Sequence, residues 1–568
     1  MKGEREFWGS RTSFLLAAIG SAIGLGNLWR FPYVCYANGG GAFLVAYFLC
    51  LFIAGIPLLM LEFGIGHYHQ KASPGSFRKI HPTLEWFGWF AVGVGFIIVT
   101  YYAVIMTYCA NYTVHSLTLA WGDDPAGFFN NTFLGITDSS DPANTWKVGG
   151  FRAPLLIGFI ISWIFVVAAI WKGTKTVGKV VYVTVLVPWA LLILFTIRGM
   201  TLPGAGIGLS YYLKPVWGKL LDPQLWLAAI TQVFFSLTVG FGVMIAYGSF
   251  LPKKSDIVQN AFIIGIADVL TAFVGGLAVF GALGHKAYID GVSIDKVVQA
   301  GPGLTFVTYP EIISNLPFPR LFGVLFFIML LTLAVDSAFS LLEAVTSSFK
   351  DKFGWSHKRA NLTLGALAFL MGLPLLTGAG LHWLDITDRF MNQFGLTLVV
   401  LGECLIAALV FGLPKLRDFL DRISYWKTSK IGIITFCVSV IMFVFAVLHI
   451  NHVRTPLIVT GVLAVVFIEV FTMLIYYKSC KIRDYFHSKL WYLFSYFWDI
   501  CVLVMTPIGI VLMLIFEISA RIKQPYGDFA NRGQEFVFGW LVLILIIFAG
   551  IVLSFIRNKN SQDVEICE

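Results

Sequence analysis

Apolar residues run almost unbroken along this chain, interrupted at intervals by short polar, basic or glycine-rich connections. Such stretches fall near 11–36, 42–68, 87–119, 154–171 and 178–199, then near 223–251, 257–285, 320–350, 358–378 and 387–413. Four more follow near 430–449, 455–477, 489–518 and 534–557. A helix crosses a bilayer with about 20 mainly apolar residues. The pattern therefore predicts about fourteen spanning helices, or about twelve if one hairpin is misread. Helical periodicity adds little, because a helix facing lipid is apolar on most sides.

Composition agrees with the pattern. Of 568 residues, 58% are hydrophobic and only 12% are charged, against roughly 25% charged in a soluble domain. This excludes a disordered chain, a secreted disulfide scaffold and an ordinary soluble enzyme, and makes the lipid bilayer the chain's solvent. The net charge of +9 reflects orientation, not a nucleic-acid partner. Lys71, Arg78, Lys79, Lys172, Lys175 and Lys179 fall on alternate loops, as do Lys253, Lys254, Lys350 and Lys352, whereas Asp123, Asp124, Asp138 and Asp141 fall between them. Basic loops stay in the cytoplasm, so the expected arrangement is a multi-pass protein of the plasma (inner) membrane with both termini inside. Arg521, Lys523 and Arg532 are exceptions. The eight cysteines form no CxxC pair, which argues against a zinc site or a disulfide framework. The first apolar run has no cleavage pattern after it and reads as a retained helix. The outer segments 120–153 and 286–319 read either as a vestibule or lid, or as packed surface loops.

Two helices carry residues that oppose helix formation at mid-depth. Helix one contains Gly20, Gly24, Gly26 and Asn27, and helix six contains Ser236, Thr238, Gly240 and Gly242. Close packing through small residues explains one such segment. Two of them, each first in a consecutive group of five helices, fit an inverted repeat with discontinuous helices. Freed carbonyls there can ligate a cation and freed N–H groups an anion. Acidic residues at Glu62, Asp268, Asp336, Glu343, Glu403 and Glu469 also lie in apolar surroundings, where each costs at least a few kcal/mol against lipid. Asp268 and the pair Asp336-Ser337 stand out, since carboxylate, hydroxyl and carbonyl oxygens suit a hard cation.

The residues then become recognisable. Arg5-Glu6-Phe7-Trp8, the run from Gly20 to Pro32, Asn38 to Phe43, and Gly55-Ile56-Pro57 through Glu62 resemble the signature of the neurotransmitter:sodium symporter family. Tyr101-Tyr102, Gln232 to Gly242, Gly301-Pro302-Gly303-Leu304, Asp336-Ser337 and Leu384 to Asp388 continue it. The resemblance covers roughly residues 1–413, and the tail beyond matches poorly. It implies an all-α integral membrane protein of the bacterial sodium-dependent amino acid transporter type. Its core is a five-plus-five inverted repeat at 1–413, with repeat one about 11–199, repeat two about 223–413, and helices one and six discontinuous. Residues 414–568 then hold about four extra helices and a short cytoplasmic tail. The absence of cysteine from 120–153 points to a microbial source, since animal members have a disulfide there.

The resemblance also implies two sodium ions. Ala22, Asn27, Ser236 and Asp268 form the first site with the substrate carboxylate; Gly20, Ile23, Leu333, Asp336 and Ser337 form the second. Family members that need chloride have a Ser four positions after Asp268, where this chain has Ala272. A fixed carboxylate at Asp268 replaces that negative charge, so chloride is expected not to be required. Amine transporters of the family carry an Asp where Gly24 stands, so a cationic amine lacks its counter-ion here. The substrate residues are then Ser21, Ala22, Gly24, Gly26, Ile98 and Tyr102, with Phe235, Thr238, Phe241, Ser337, Ala338 and Leu341. Most are apolar, so the expected substrate is a neutral, hydrophobic amino acid.

Arg30 and Asp388 form the implied outer gate, with Tyr102 and Phe235 as a thin lid. Arg5, Trp8 and Asp351 form the inner one. Gly178 and Pro188 in helix five mark either a segment that unwinds or a simple kink. The expected function is sodium-coupled symport by alternating access, without enzymatic activity. The alternatives are import of another carboxylate-bearing amino compound, such as glycine or a β- or γ-amino acid, and, less favoured, a channel or a membrane enzyme. No HExxH, GxSxG or P-loop motif is present.

Overall fold

A computed structural model of the chain describes residues 6–136, 146–298, 301–423, 497–523 and 532–556. The predicted helices near 430–449 and 455–477, together with Arg5, Asp138, Asp141 and Glu469, lie outside the described residues. Among the described residues every extended element is a helix, and nine helices are long and apolar enough to cross a membrane. The bent pair Arg11–Ala22 and Gly26–Ala37 makes a tenth.

The first span turns by 42° between its halves. The second to fifth are Gly41–His69, Pro82–His115, the shorter apolar helix Ala153–Ala169, and Thr174–Met200. The sixth is interrupted between Pro223–Ser236 and Val243–Ser249. Ile257–Asp290, Pro319–Phe353, His357–Leu376 and Gly380–Phe411 complete the ten predicted core helices, of which the short fourth and the interrupted sixth stand outside the count above. The breaks thus open two consecutive groups of five, as the glycine and polar patterns predict. Phe497–Ser519 and Arg532–Phe555 account for the last two predicted apolar stretches.

Burial separates the core from the rim. The most apolar window of the third span is 83% buried, and those of the second and seventh 72% each, against 33% for the fifth. The two final helices bury only 28% and 22%, so most of their apolar surface lies on the outside of the bundle. Short helices outside the spans were not expected. Ala205–Leu213 packs along the seventh span, where Gly208 lets backbone meet backbone: a Cβ there falls 1.8 Å from the Phe280 carbonyl oxygen. The fifth span stays helical through Pro188, with Gly178 seated on Ser13. In this conformation the Gly178–Pro188 segment is therefore helical.

Candidate functional site

The helix breaks place backbone where side chains would otherwise be. In the first span the Gly24 N–H turns to the Ala22 carbonyl at 3.1 Å, so the Gly20 carbonyl loses the partner that a regular helix supplies. The Leu25 N–H donates to the Tyr102 hydroxyl at 3.1 Å. In the sixth span Thr238, Gly240 and Gly242 take φ of +55°, +86° and +68°, a region that L side chains avoid and glycine tolerates. Two side chains hold the strained segment. The Gly240 N–H donates to Glu62 Oε1 at 2.6 Å, and the Thr238 hydroxyl donates to the Ser21 carbonyl at 2.8 Å. The second contact ties one break to the other.

Asp268 lies at the first predicted sodium site, fully buried. Its Oδ1 accepts from Asn27 Nδ2 at 2.9 Å, and both its oxygens lie within 2.9 Å of Ser236 Oγ. Tyr47 Oη donates to Oδ2 at 3.4 Å. The cluster joins the first, second, sixth and seventh spans and is rich in oxygen, the donor set that hard cations take. Ala22 lies across the same break and is buried with it.

At the second predicted site, Asp336 is also buried, and neither carboxylate oxygen receives a hydrogen bond among the described residues. The nearby Thr184 hydroxyl donates instead to the Val180 carbonyl at 3.2 Å. A carboxylate buried with both oxygens unsatisfied is costly, and a cation is the partner its chemistry asks for. Gly20 allows that approach, since a Cβ there falls 2.5 Å from Asp336 Oδ2. Ile23 is buried in the break, and Leu333 lies one turn before Asp336-Ser337 on the eighth span.

Beside the break of the first span is a cavity of about 30 Å³, reached by Asn27 and Ser236 of the Asp268 cluster and by Ser337, the neighbour of Asp336. Its polar end is lined by Ser21, Ala22, Gly24, Gly26, Tyr102 and Ser337, and its apolar wall by Ile98, Phe235, Phe241 and Leu341, with Thr238 between. The structure thus brings every predicted substrate residue to one cavity except Ala338, which is buried outside it. The absence of a side chain at Gly24 and Gly26 leaves this space open. A Cβ at Gly24 meets Ser337 Oγ at 2.6 Å, and one at Gly26 meets the Phe235 ring at 2.6 Å. A space of this size holds one or two waters, so an amino acid enters only as its walls move.

At both predicted gates the residues named meet others that were not. On the outer side the Arg30 guanidinium lies over the Phe235 ring, 4.8 Å from its centroid. Asp388 accepts from Tyr101 Oη at 2.7 Å and from Asn392 Nδ2 at 2.9 Å. Tyr101 therefore holds Asp388 while Tyr102, its neighbour on the helix, lines the cavity. On the inner side Trp8 is buried against Phe14, Tyr247 and Phe250, and its indole N–H donates to the Tyr247 carbonyl at 3.2 Å. Asp351 accepts from the Ala72 N–H at 2.8 Å.

Sequence reasoning missed three contributors. Tyr47 reaches Asp268 across 221 residues of chain, and no local pattern marks it. The Ser340 hydroxyl lies 2.7 Å from that of Ser21 at the polar end of the cavity. Its spacing of three from Ser337, one face of one helix, was a readable signal. Glu62 had been noted as an acid in apolar surroundings, and its bond to Gly240 gives it a structural task.

Known proteins resemble this chain in sequence and fold. The sequence profile of the Sodium:neurotransmitter symporter family matches residues 5–126 and 122–458. The chain is 42% identical over 433 residues to an uncharacterized sodium-dependent transporter of Methanocaldococcus jannaschii, covering 75% of this chain and 87% of that protein. It is 36% identical over 451 residues to the creatine transporter of Torpedo marmorata, covering 73% and 74% of the two chains. Identity is 33% over 484 residues to a sodium- and chloride-dependent taurine transporter of Canis lupus familiaris, covering 78% of each. Among solved structures, MhsT in complex with L-phenylalanine superposes with a TM-score of 0.68 at 28% identity, covering 90% of this chain and 99% of that one. The likeness therefore runs past residue 413, the limit that the motifs had suggested.

Proposed function

The chain belongs to the sodium:neurotransmitter symporter family, and from that premise we propose that it imports a neutral, hydrophobic amino acid together with two sodium ions. It is a sodium-dependent, multi-pass membrane transporter and not an enzyme. The observation that carries the finer reading is the pair of buried carboxylates at one small cavity by the break of the first span: Asp268 is bonded to Asn27 and Ser236, which line it, and Asp336 adjoins Ser337, which lines it too. Sodium at the first site takes Ala22, Asn27, Ser236, Asp268 and the substrate carboxylate as ligands. Sodium at the second takes Gly20, Ile23, Leu333, Asp336 and Ser337.

The substrate carboxylate also faces the Tyr102 hydroxyl and the N–H groups freed at the break. Its side chain lies against Ile98, Phe235, Phe241 and Leu341, which favours an apolar one. Arg30, Asp388, Phe235 and Tyr102 close the outer path; Arg5, Trp8 and Asp351 close the inner one. Chloride is not required, because Asp268 supplies a fixed negative charge and Ala272 offers no hydroxyl for an anion. The ten-helix core occupies 1–413, the tail 414–568 holds the extra helices, and both termini are cytoplasmic in the plasma (inner) membrane. Alternating access couples the flows because outward and inward states differ in affinity.

The test is uptake into proteoliposomes with an inward sodium gradient, screened over the twenty amino acids. Concentrative, sodium-dependent uptake of neutral apolar amino acids is expected. Preference for a basic or acidic amino acid refutes the substrate assignment, and gradient-independent flux refutes symport. Creatine, taurine and a γ-amino acid belong in the same screen. The names of the relatives at 33% and 36% identity favour such a compound as the second reading.

A further inference from the structure

A large cavity lies away from the central site, between the start of the first span, the fourth and fifth spans, and the ninth. Its volume is about 1480 Å³, above the ~300–1,000 Å³ of small-molecule pockets. The wall is apolar: Ile160, Trp163, Ile164 and Phe369 line its depth. It opens sideways, since Ile160 and Ile164 are themselves exposed on the flank of the bundle. From Ile160 to the helix end at Ala169 is roughly 14 Å at 1.5 Å per residue, close to one leaflet of a ~30 Å hydrocarbon core.

The mouth is different in kind. Lys172, Lys175 and Lys179 line it, all exposed, and none of the three ammonium groups makes an ion pair among the described residues. Glu6, whose Oε2 comes within 2.5 Å of a Cβ built at Gly173 in this rim, is held by Lys350 at 3.0 Å. Lys358 lies over the Trp171 ring at the same rim, 5.4 Å from its centroid. A long apolar slot with concentrated positive charge at one end matches an amphiphile whose anionic head joins two chains.

We propose that this groove binds an anionic phospholipid of the leaflet it faces, with the acyl chains along Ile164, Trp163 and Phe369 and the phosphate among Lys172, Lys175 and Lys179. On the orientation proposed above this is the cytoplasmic leaflet, where basic pockets between helices hold anionic head groups. The bound lipid packs beside the joint of the first and fifth spans, where the Ser13 hydroxyl donates to the Gly178 carbonyl at 3.4 Å.

The test uses the full chain in nanodiscs of phosphatidylcholine containing a minor fraction of brominated lipid, read by tryptophan quenching. Brominated phosphatidylglycerol quenches a component that brominated phosphatidylcholine reaches only at far higher fractions, and that component is missing from Trp163→Phe/Trp171→Phe. The triple change Lys172→Gln/Lys175→Gln/Lys179→Gln weakens it by on the order of fivefold per lysine removed. Equal quenching by the two lipids in the unmodified protein overturns the proposal, and so does a component that survives either set of substitutions. The lipid comparison needs no variant to fold, and the readout is independent of transport.

Discussion

Asp268→Asn isolates the charge at the first site while keeping its shape. The carboxylate lies 2.8–2.9 Å from Ser236 Oγ and 2.9 Å from Asn27 Nδ2. A cation that shares these ligands therefore stands within ~4 Å of its charge, where a pair of unit charges is worth about 4 kcal/mol at an effective dielectric near 20. The asparagine carbonyl dipole keeps part of this. A net loss of ~2–3 kcal/mol remains, which is roughly a 30- to 150-fold rise in half-saturating sodium. The assay is sodium-dependent uptake in proteoliposomes, titrated once with chloride and once with gluconate as the anion. The unmodified protein responds alike in both media. The variant shows the full loss in both media, since Ala272 still offers no hydroxyl to hold a chloride in place of the lost charge. An unchanged sodium response of Asp268→Asn in gluconate refutes the reasoning at the site. Collapse of the unmodified protein's uptake in gluconate refutes chloride independence.

Three further outcomes follow from single contacts. Gly24→Ala puts a methyl group 2.6 Å from Ser337 Oγ and 2.9 Å from Tyr102 Oη; substrate binding to purified protein falls about 5- to 150-fold, since buried overpacking costs ~1–3 kcal/mol. Tyr102→Phe leaves the Leu25 N–H without the hydroxyl that accepts it, a loss of ~1–3 kcal/mol read as weaker substrate affinity in equilibrium binding at saturating sodium. Glu62→Ala strips the acceptor from the Gly240 N–H in the broken sixth span. The melting temperature drops by a few degrees, and Glu62→Gln, which retains an acceptor, recovers most of it.

How much of this was readable depended on how local each signal is. The two helix breaks were legible because glycine and small polar residues at mid-membrane are costly in place, whatever the rest of the chain does. Asp268 and Asp336 were legible for the same reason. The partners that complete them were not. Tyr47 is 221 residues from Asp268 and Gly240 is 178 from Glu62, so only packing brings them together. Motif resemblance filled part of that gap, which is why the cavity lining was named almost in full while Ser340, outside the motifs, was overlooked. In the final helices the relation reverses. With only 22–28% of their apolar windows buried, any apolar residue serves at most positions, so recognisable motifs end near 413 although the family profile matches to 458 and structural likeness covers 90% of the chain.

The break in the first span is where the two carboxylates become one device. Asp268 belongs to the seventh span and Asp336 to the eighth, yet both face the interval from Gly20 to Asn27. On the proposed assignment, Gly20 and Ile23 turn to one ion, Ala22 and Asn27 to the other. Each ion thereby joins the first span to the second repeat through a charge that is otherwise costly to bury. The Ser21 carbonyl is already held by Thr238 and Ser337, so the break is crosslinked even before an ion arrives. A substrate that lends its carboxylate to the first ion binds more tightly when sodium is present, and by linkage it tightens sodium by the same factor. Coupling then requires no separate relay, because the substrate cavity and the first ion site share Ala22 and the same freed backbone.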